Sequence, residues 1–416
     1  MPATLSPEYR LLTQAASPVL GGGPVARPAG RPVEKPVDKP VDWEMAVALG
    51  RRHRLLPLLA RHLEAAGVEA SGVEAPEAVV DTLRLERCRT AASSMRMQRG
   101  ARTIVDALAG AGVPVIALKG LVLLEEVYRD VSLRPMADVD FLVPEGSIQH
   151  AEDVVIGLGY RSRRPLQDGH VGPRQTKYAY PEMVSADGLV FVDLHRHVFP
   201  DAPFDIGELW RHARPSSEGA HLLPGHEDLL VHLAGHFFRD RIRRSSGSLG
   251  QLADIAWCVH TTPIDWDVVV GRAHSYGLHG RVFLAFMATN ELVAPVVPEE
   301  VLAALRPASY SAADGRAFVK RRLLGDSTWH APGYFGRLPR EAFSARRRPL
   351  RRVLPDRAYL ESAYGRRAGL GSSYARLFLL RVRRAARRLR PWGIYRDARL
   401  NRWMRSVADE HTPAPK

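Results

Sequence analysis

Two short apolar runs, Val113-Pro-Val-Ile-Ala-Leu118 and Val139-Asp-Phe-Leu-Val143, bracket a Lys119-Gly120 turn and a helix-like stretch from Leu121 to Tyr128. Their length and β-branched content predict strands, and the glycine between strand and helix lets the chain reverse tightly. A strand, turn, helix, strand unit can fold only by pairing its strands in a sheet and covering that sheet with helices. The second strand opens on Asp138-Val139-Asp140. Because side chains alternate along a strand, the two carboxylates share one side and Val139 and Phe141 take the other.

A third β-rich run, Leu189 to Val198, follows Gly188. Val190, Val192 and Leu194 form its apolar face, which leaves Phe191, Asp193 and His195 on the opposite one. If these strands are neighbours, Asp193 joins Asp138 and Asp140. Three carboxylates so close repel one another, and oxygen-rich sites of this kind suit Mg²⁺ or Mn²⁺. Ions held there support in-line displacement at the α-phosphorus of a nucleoside triphosphate. Lys119, Gly120 and the free N–H groups of the following helix offer a seat for phosphate, and Arg134 is placed to neutralise departing pyrophosphate. An isolated Asp-x-Asp is common by chance, so the strand context and Asp193 carry the reading.

Other segments predict the framework. A Pro- and Gly-rich composition, with Gly21-Gly22-Gly23-Pro24 and the prolines between Arg31 and Pro40, predicts a disordered arm over residues 1–42. Amphipathic spacing of Met45, Leu49, Leu55, Leu56, Leu59 and Leu63, then of residues 75–111, predicts a helical segment over 43–110. The α/β core occupies 111–200, with a helix after Pro144-Glu145-Gly146 running to about Leu158 and a weak strand near Thr176–Tyr180. A helical domain follows over 201–345, and an Arg-rich region over 346–416. On that helical domain His232 and His236 stand four apart on one face, beside Leu229 and Leu233. This spacing fits hydrogen-bonded histidines bordering a cleft better than zinc, for which no third ligand stands at motif spacing.

Charge separates the chain into two parts. Of 59 Lys and Arg, 19 are arginines between Arg346 and Arg405, a stretch with three of the 45 acids; the remainder carries 40 bases against 42 acids. Leu377 to Arg390 reads as a basic amphipathic helix for nucleic acid or an anionic surface, or equally as a solvated arginine face. Two distant cysteines, Cys88 and Cys258, exclude a disulfide framework and fit a reducing cytoplasm. No apolar run approaches the roughly 20 residues that span a bilayer.

The run Val115-Ile-Ala-Leu-Lys-Gly120, Tyr128, Leu133-Arg-Pro-Met-Ala-Asp-Val-Asp-Phe-Leu-Val143, Gly159-Tyr160 and Val192-Asp-Leu-His195 resembles the uncharacterised nucleotidyltransferase family of bacteria, a branch of the DNA polymerase β superfamily. Leu230-Val-His-Leu-Ala-Gly-His236 and Leu252-Ala-Asp-Ile-Ala256 resemble that family's helical half. The resemblance implies a polymerase β-like α+β core with a small mixed sheet, flanked by N- and C-terminal helical segments. It implies Asp138, Asp140 and Asp193 as metal-binding carboxylates, with Mg²⁺ or Mn²⁺, an NTP substrate and a hydroxyl acceptor the sequence does not identify. Leu121 stands where the superfamily's first motif has a hydroxyl or glycine. A protein that keeps the fold but binds nucleotide or polyanion without catalysis is the alternative.

Overall fold

The computed structural model describes residues 5–18, 40–71, 73–162, 183–199, 202, 205–244, 249–319, 323–324, 400, 402–404 and 406–407. The first element departs from expectation: within the stretch read as a disordered arm, Pro7–Ala16 forms helix α1. Ser6 caps it by accepting the Tyr9 N–H, and Pro7 supplies a preset φ at the first turn. Leu11, Leu12, Ala15 and Ala16 are buried, and Ala16 C=O accepts the indole N–H of Trp257 at 3.1 Å. Composition averaged over 42 residues hid this short apolar stripe, which precedes the glycines and most of the prolines.

Helix α2 (Trp43–His53) is capped by Asp42, and α3 (Leu56–Ser71) leads to the long α4 (Glu77–Gly110). The buried stripe of α4 starts at Leu83, resumes seven residues on at Thr90 and from there recurs every three or four residues through Met97 and Ala101 to Leu108, and so faces one way. At Gly100 an added Cβ would lie 2.7 Å from Val190, so this glycine brings α4 against the entry to the third core strand.

Strand β1 (Ile116–Leu118) turns through Lys119 into α5 (Gly120–Val122), which widens into a π-helical turn over Leu123–Tyr128. Then follow β2 (Val139–Leu142), a 3₁₀ turn and α6 (Ile148–Gly157), β3 (Arg161–Ser162), β4 (Met183–Val184) and β5 (Phe191–His195). The remainder comprises α7 (Ile206–His212), β6 (Arg214–Pro215), β7 (Leu222–Leu223), α8 (His226–Arg244), α9 (Leu249–Thr261), α10 (Trp266–Ser275), α11 (His279–Leu292), α12 (Glu299–Leu305) and α13 (Ala312–Phe318). The expected strand near Thr176–Tyr180 and the basic segment Leu377–Arg390 lie outside the described residues. Among those residues no helix is long and apolar enough to cross a membrane.

The strands form one mixed sheet in the order β3-β4-β5-β2-β1-β7-β6. β2 runs antiparallel to β1 and parallel to β5, with Asp140 opposite both Leu118 and Asp193. The two strands are neighbours, and register thus sets Asp140 and Asp193 side by side. Val139, Phe141, Val192 and Leu194 are wholly buried on the other face, and a one-residue slip of either strand would exchange those apolar groups for carboxylates. The β6–β7 hairpin was not foreseen. Two-residue strands leave no period to read, and their anchors are polar: Arg214 clasps Glu126 with both terminal nitrogens, while His221 lies 3.2 Å from buried Glu125.

Candidate active site

The β1–α5 turn is strained where it meets the carboxylates. Lys119 has φ +43° and ψ −101°, in the half of conformational space that only glycine enters freely. Two contacts hold it there: its C=O accepts the Leu123 N–H at 2.9 Å, and its Nζ lies 3.3 Å from Asp140 Oδ2. Gly120 has an ordinary φ, and its small size serves close packing, since a Cβ there would sit 3.0 Å from Met136 Sδ and 3.4 Å from an Arg134 nitrogen. The positive φ therefore falls one residue earlier than a phosphate-loop glycine would suggest.

Asp140 is the electrostatic centre of the site. Its Oδ1 lies 2.6 Å from His195 Nε2, so the two carboxylate oxygens accept from different partners, His195 and Lys119. Burial alone would raise its pKa, but the Lys119 charge and the His195 hydrogen bond, with His236 adding its field, hold the group far below the ordinary carboxylate range. Asp140, Asp193 and His195 each offer a ligand atom, and these atoms all lie within 4.8 Å of one another. Two carboxylates and an imidazole in that space form a donor set that fits a divalent cation.

Asp138 is placed differently. It precedes the first residue of β2, outside the paired ladder, and is not part of that close group. Burial, and then the negative charge of Asp140, raise its pKa; Lys119, Arg54 and Arg134 oppose the shift. Arg134, expected at the leaving phosphates, is committed elsewhere. Its Nε and Nη2 donate to the two oxygens of Asp254 on α9 at 2.8 and 3.0 Å, and the Tyr128 hydroxyl donates to Asp254 Oδ1 at 3.0 Å. Tyr128 in turn stacks on Trp257 at 4.7 Å. This buried clamp ties the loop before Asp138 to the helical half. Asp254 was missed as a positioning residue, although a lone acid inside the apolar run Leu252–Ala256 was a usable signal.

The helical half also brings a histidine to the site. Phe199, just beyond β5, is wholly buried against α8, where a Cβ on Gly235 would lie 2.6 Å from its ring. His232 meets the same ring edge-on at 5.4 Å. With α8 seated this closely, His236 comes near enough to act on Asp140, and its Nδ1 lies 3.4 Å from Gln251 Nε2. Neither histidine belongs to a three-residue ligand group among the described residues.

No curated protein matches the chain. A family profile does, described as an uncharacterised nucleotidyltransferase and spanning residues 39–294, which include the strand pair, the Asp140 cluster and the Asp254 clamp. The chain therefore belongs to the uncharacterised nucleotidyltransferase family.

Proposed function

We propose that the protein is a metal-dependent nucleotidyltransferase that moves a nucleoside monophosphate from an NTP to a hydroxyl. The observation carrying this reading is the pairing of Asp140 with Asp193 on adjacent strands, beside the Lys119–Gly120 turn. In the reaction the acceptor oxygen bonds to the α-phosphorus, the bond from that phosphorus to pyrophosphate breaks, and the hydroxyl proton passes to Asp193 or solvent. Asp140 and Asp193, with Asp138 at the strand entrance, would hold Mg²⁺ or Mn²⁺. Bound there, such an ion lowers the pKa of the attacking hydroxyl and stabilises charge on the departing pyrophosphate. His195 orients Asp140, and Lys119 is free to turn from the carboxylate to phosphate oxygens. Two free cysteines fit a cytoplasmic enzyme.

A second reading, nucleotide binding without transfer, has one observation in its favour: both Asp140 oxygens already have cationic or hydrogen-bonding partners. The two readings separate in one experiment. Protein is incubated with each NTP labelled at the α-phosphate, Mg²⁺ or Mn²⁺, and cell extract as acceptor source. Transfer of label that disappears in a folded Asp140→Ala variant supports catalysis. Thermal stabilisation by NTP and metal without any transfer supports the second reading, and neither response sinks both.

A further inference from the structure

We infer that a cleft beside Asp138 binds an oxyanion carried by the acceptor, with Arg54 as its counter-ion. This rests on the transfer reaction proposed above and adds the chemical class of the second substrate. The cleft, about 290 Å³, lies between the end of α2, the first half of α4 and the loop into β2, and is lined by Arg51, Arg54, Leu56, Glu86, Thr90 and Met136. Its wall continues through Ala137, the residue before Asp138. At about 30 Å³ per water, the volume suits a small molecule or the end of a chain, and not a nucleic-acid duplex.

The charges in the cleft are unequal in their commitments. Glu86 is shared by Arg51 at 3.2 Å and Arg89 at 3.4 Å. Arg54 is exposed, and among the described residues its guanidinium is in no ion pair. Its backbone explains its position: at the C-cap of α2 it adopts φ +60° and ψ 34°, donating its N–H to Arg51 C=O, while Leu55 and Leu56 turn into the core. That left-handed turn lifts residue 54 out of the helix line. Arg54 also acts on Asp138, favouring its ionised form. An arginine held at a cleft mouth by the backbone, with donors to spare, is suited to a planar or tetrahedral oxyanion.

Donor and acceptor separate at Met136. Its sulfur would lie 3.0 Å from a Cβ on Gly120, so the side chain stands between the cleft and the turn that receives the triphosphate. Each substrate then approaches Asp138 from its own side. The apolar wall from Leu56 and Met136 and the Thr90 hydroxyl suit a compound with a short carbon frame, an oxyanion at one end and a hydroxyl at the other.

Glycerol, glycerate and glycerol 3-phosphate share that frame and differ in charge. Calorimetric binding to the full chain without nucleotide should favour one or both anionic compounds over glycerol by at least tenfold, and the better anion identifies carboxylate or phosphate as the source. Arg54→Gly suits the left-handed backbone at this position and removes the guanidinium together with its methylene stem. It should abolish the tenfold preference and leave NTP affinity within about twofold. Equal binding of all three by the wild type, no binding of any, or loss of NTP affinity in Arg54→Gly with the anion preference intact would each overturn the inference. Label transfer scored separately shows whether the transferase reading has failed instead: anion binding without transfer leaves the cleft standing, and transfer without anion preference removes it.

Discussion

Asp254→Ala tests whether the helical half positions the catalytic loop. The substitution removes the acceptor for three hydrogen bonds, from Arg134 Nε, Arg134 Nη2 and the Tyr128 hydroxyl, and leaves a guanidinium only 17% exposed without its counter-ion. Uncompensated buried charges cost about 3–5 kcal/mol, and the stranded tyrosine adds about 1 kcal/mol. Because Arg134 keeps some contact with water, the expected loss is about 3–4 kcal/mol by the same principles, a large part of the 5–15 kcal/mol typical of folded domains. Equilibrium urea unfolding of the full chain, followed by circular dichroism and tryptophan fluorescence, should show a lowered midpoint with an unchanged slope. Asp254→Asn keeps the shape and part of the hydrogen bonding, and should lose about half as much. Arg134→Met with Asp254→Leu removes both charges and should recover much of the stability without recovering label transfer, because the loop before Asp138 is no longer tied to α9. A loss below about 1 kcal/mol in Asp254→Ala, with transfer intact, would refute the positioning argument.

Substitutions at Asp138, Lys119 and Gly235 probe the site and its support. Asp138→Asn should stabilise the metal-free protein at pH 7 while abolishing transfer, since burial and Asp140 both disfavour the Asp138 carboxylate. The sign follows from a folded-state pKa raised above the unfolded value: the penalty is present when Asp138 is ionised and fades as pH falls, so the advantage of the variant in thermal melts should be largest at pH 7 and shrink as pH falls toward the ordinary carboxylate range of about 4. Lys119→Gly and Lys119→Ala should both raise KM for NTP and bind Mn²⁺ alone several-fold more tightly in calorimetry, because the cation no longer competes with the ammonium on Asp140. Of the two, the glycine variant should be more stable by about 1 kcal/mol, having no side-chain strain at φ +43°. Gly235→Ala places a methyl 2.6 Å from the Phe199 ring and should cost about 1–3 kcal/mol in urea unfolding, with Phe199→Leu restoring part of it.

Legibility in the sequence tracked the length scale of each physical signal. Strand β1 was readable as an unbroken apolar run, β2 and β5 because apolar alternation over four or five residues has few other solutions, and the β2–β5 register followed from keeping Val139, Phe141, Val192 and Leu194 inside. Helix α1 was lost because its four buried apolar residues were averaged with the Gly- and Pro-rich stretch after it. Strands β6 and β7 were lost because they are fixed by long-range ion pairs from Glu125 and Glu126, which have no periodicity. The same limit applied to Arg134. Its nearness to the aspartates along the chain suggested phosphate, but a partner 120 residues away engages it.

The Asp138–Asp140 pair shows where local pattern stops being informative. Alternation treats the two residues as equivalent, because they lie two apart on a strand and project to one side. The strand, however, begins between them, so Asp140 is locked into the ladder beside Asp193 and Asp138 stands at its entrance. Lys119 and His195 then act on the two unequally: each contacts an Asp140 oxygen directly, whereas Lys119 reaches Asp138 only through its field. One carboxylate is thereby held ionised, and ionisation of the other is disfavoured by burial and then by its neighbour's charge. A divalent cation arriving at this pair would reverse the environment of Asp138 and displace Lys119 from Asp140 toward incoming phosphate. A motif symmetric in sequence therefore becomes a site with one satisfied and one frustrated carboxylate, and the stability gained by removing the second is the signature of a group kept for binding and not for folding.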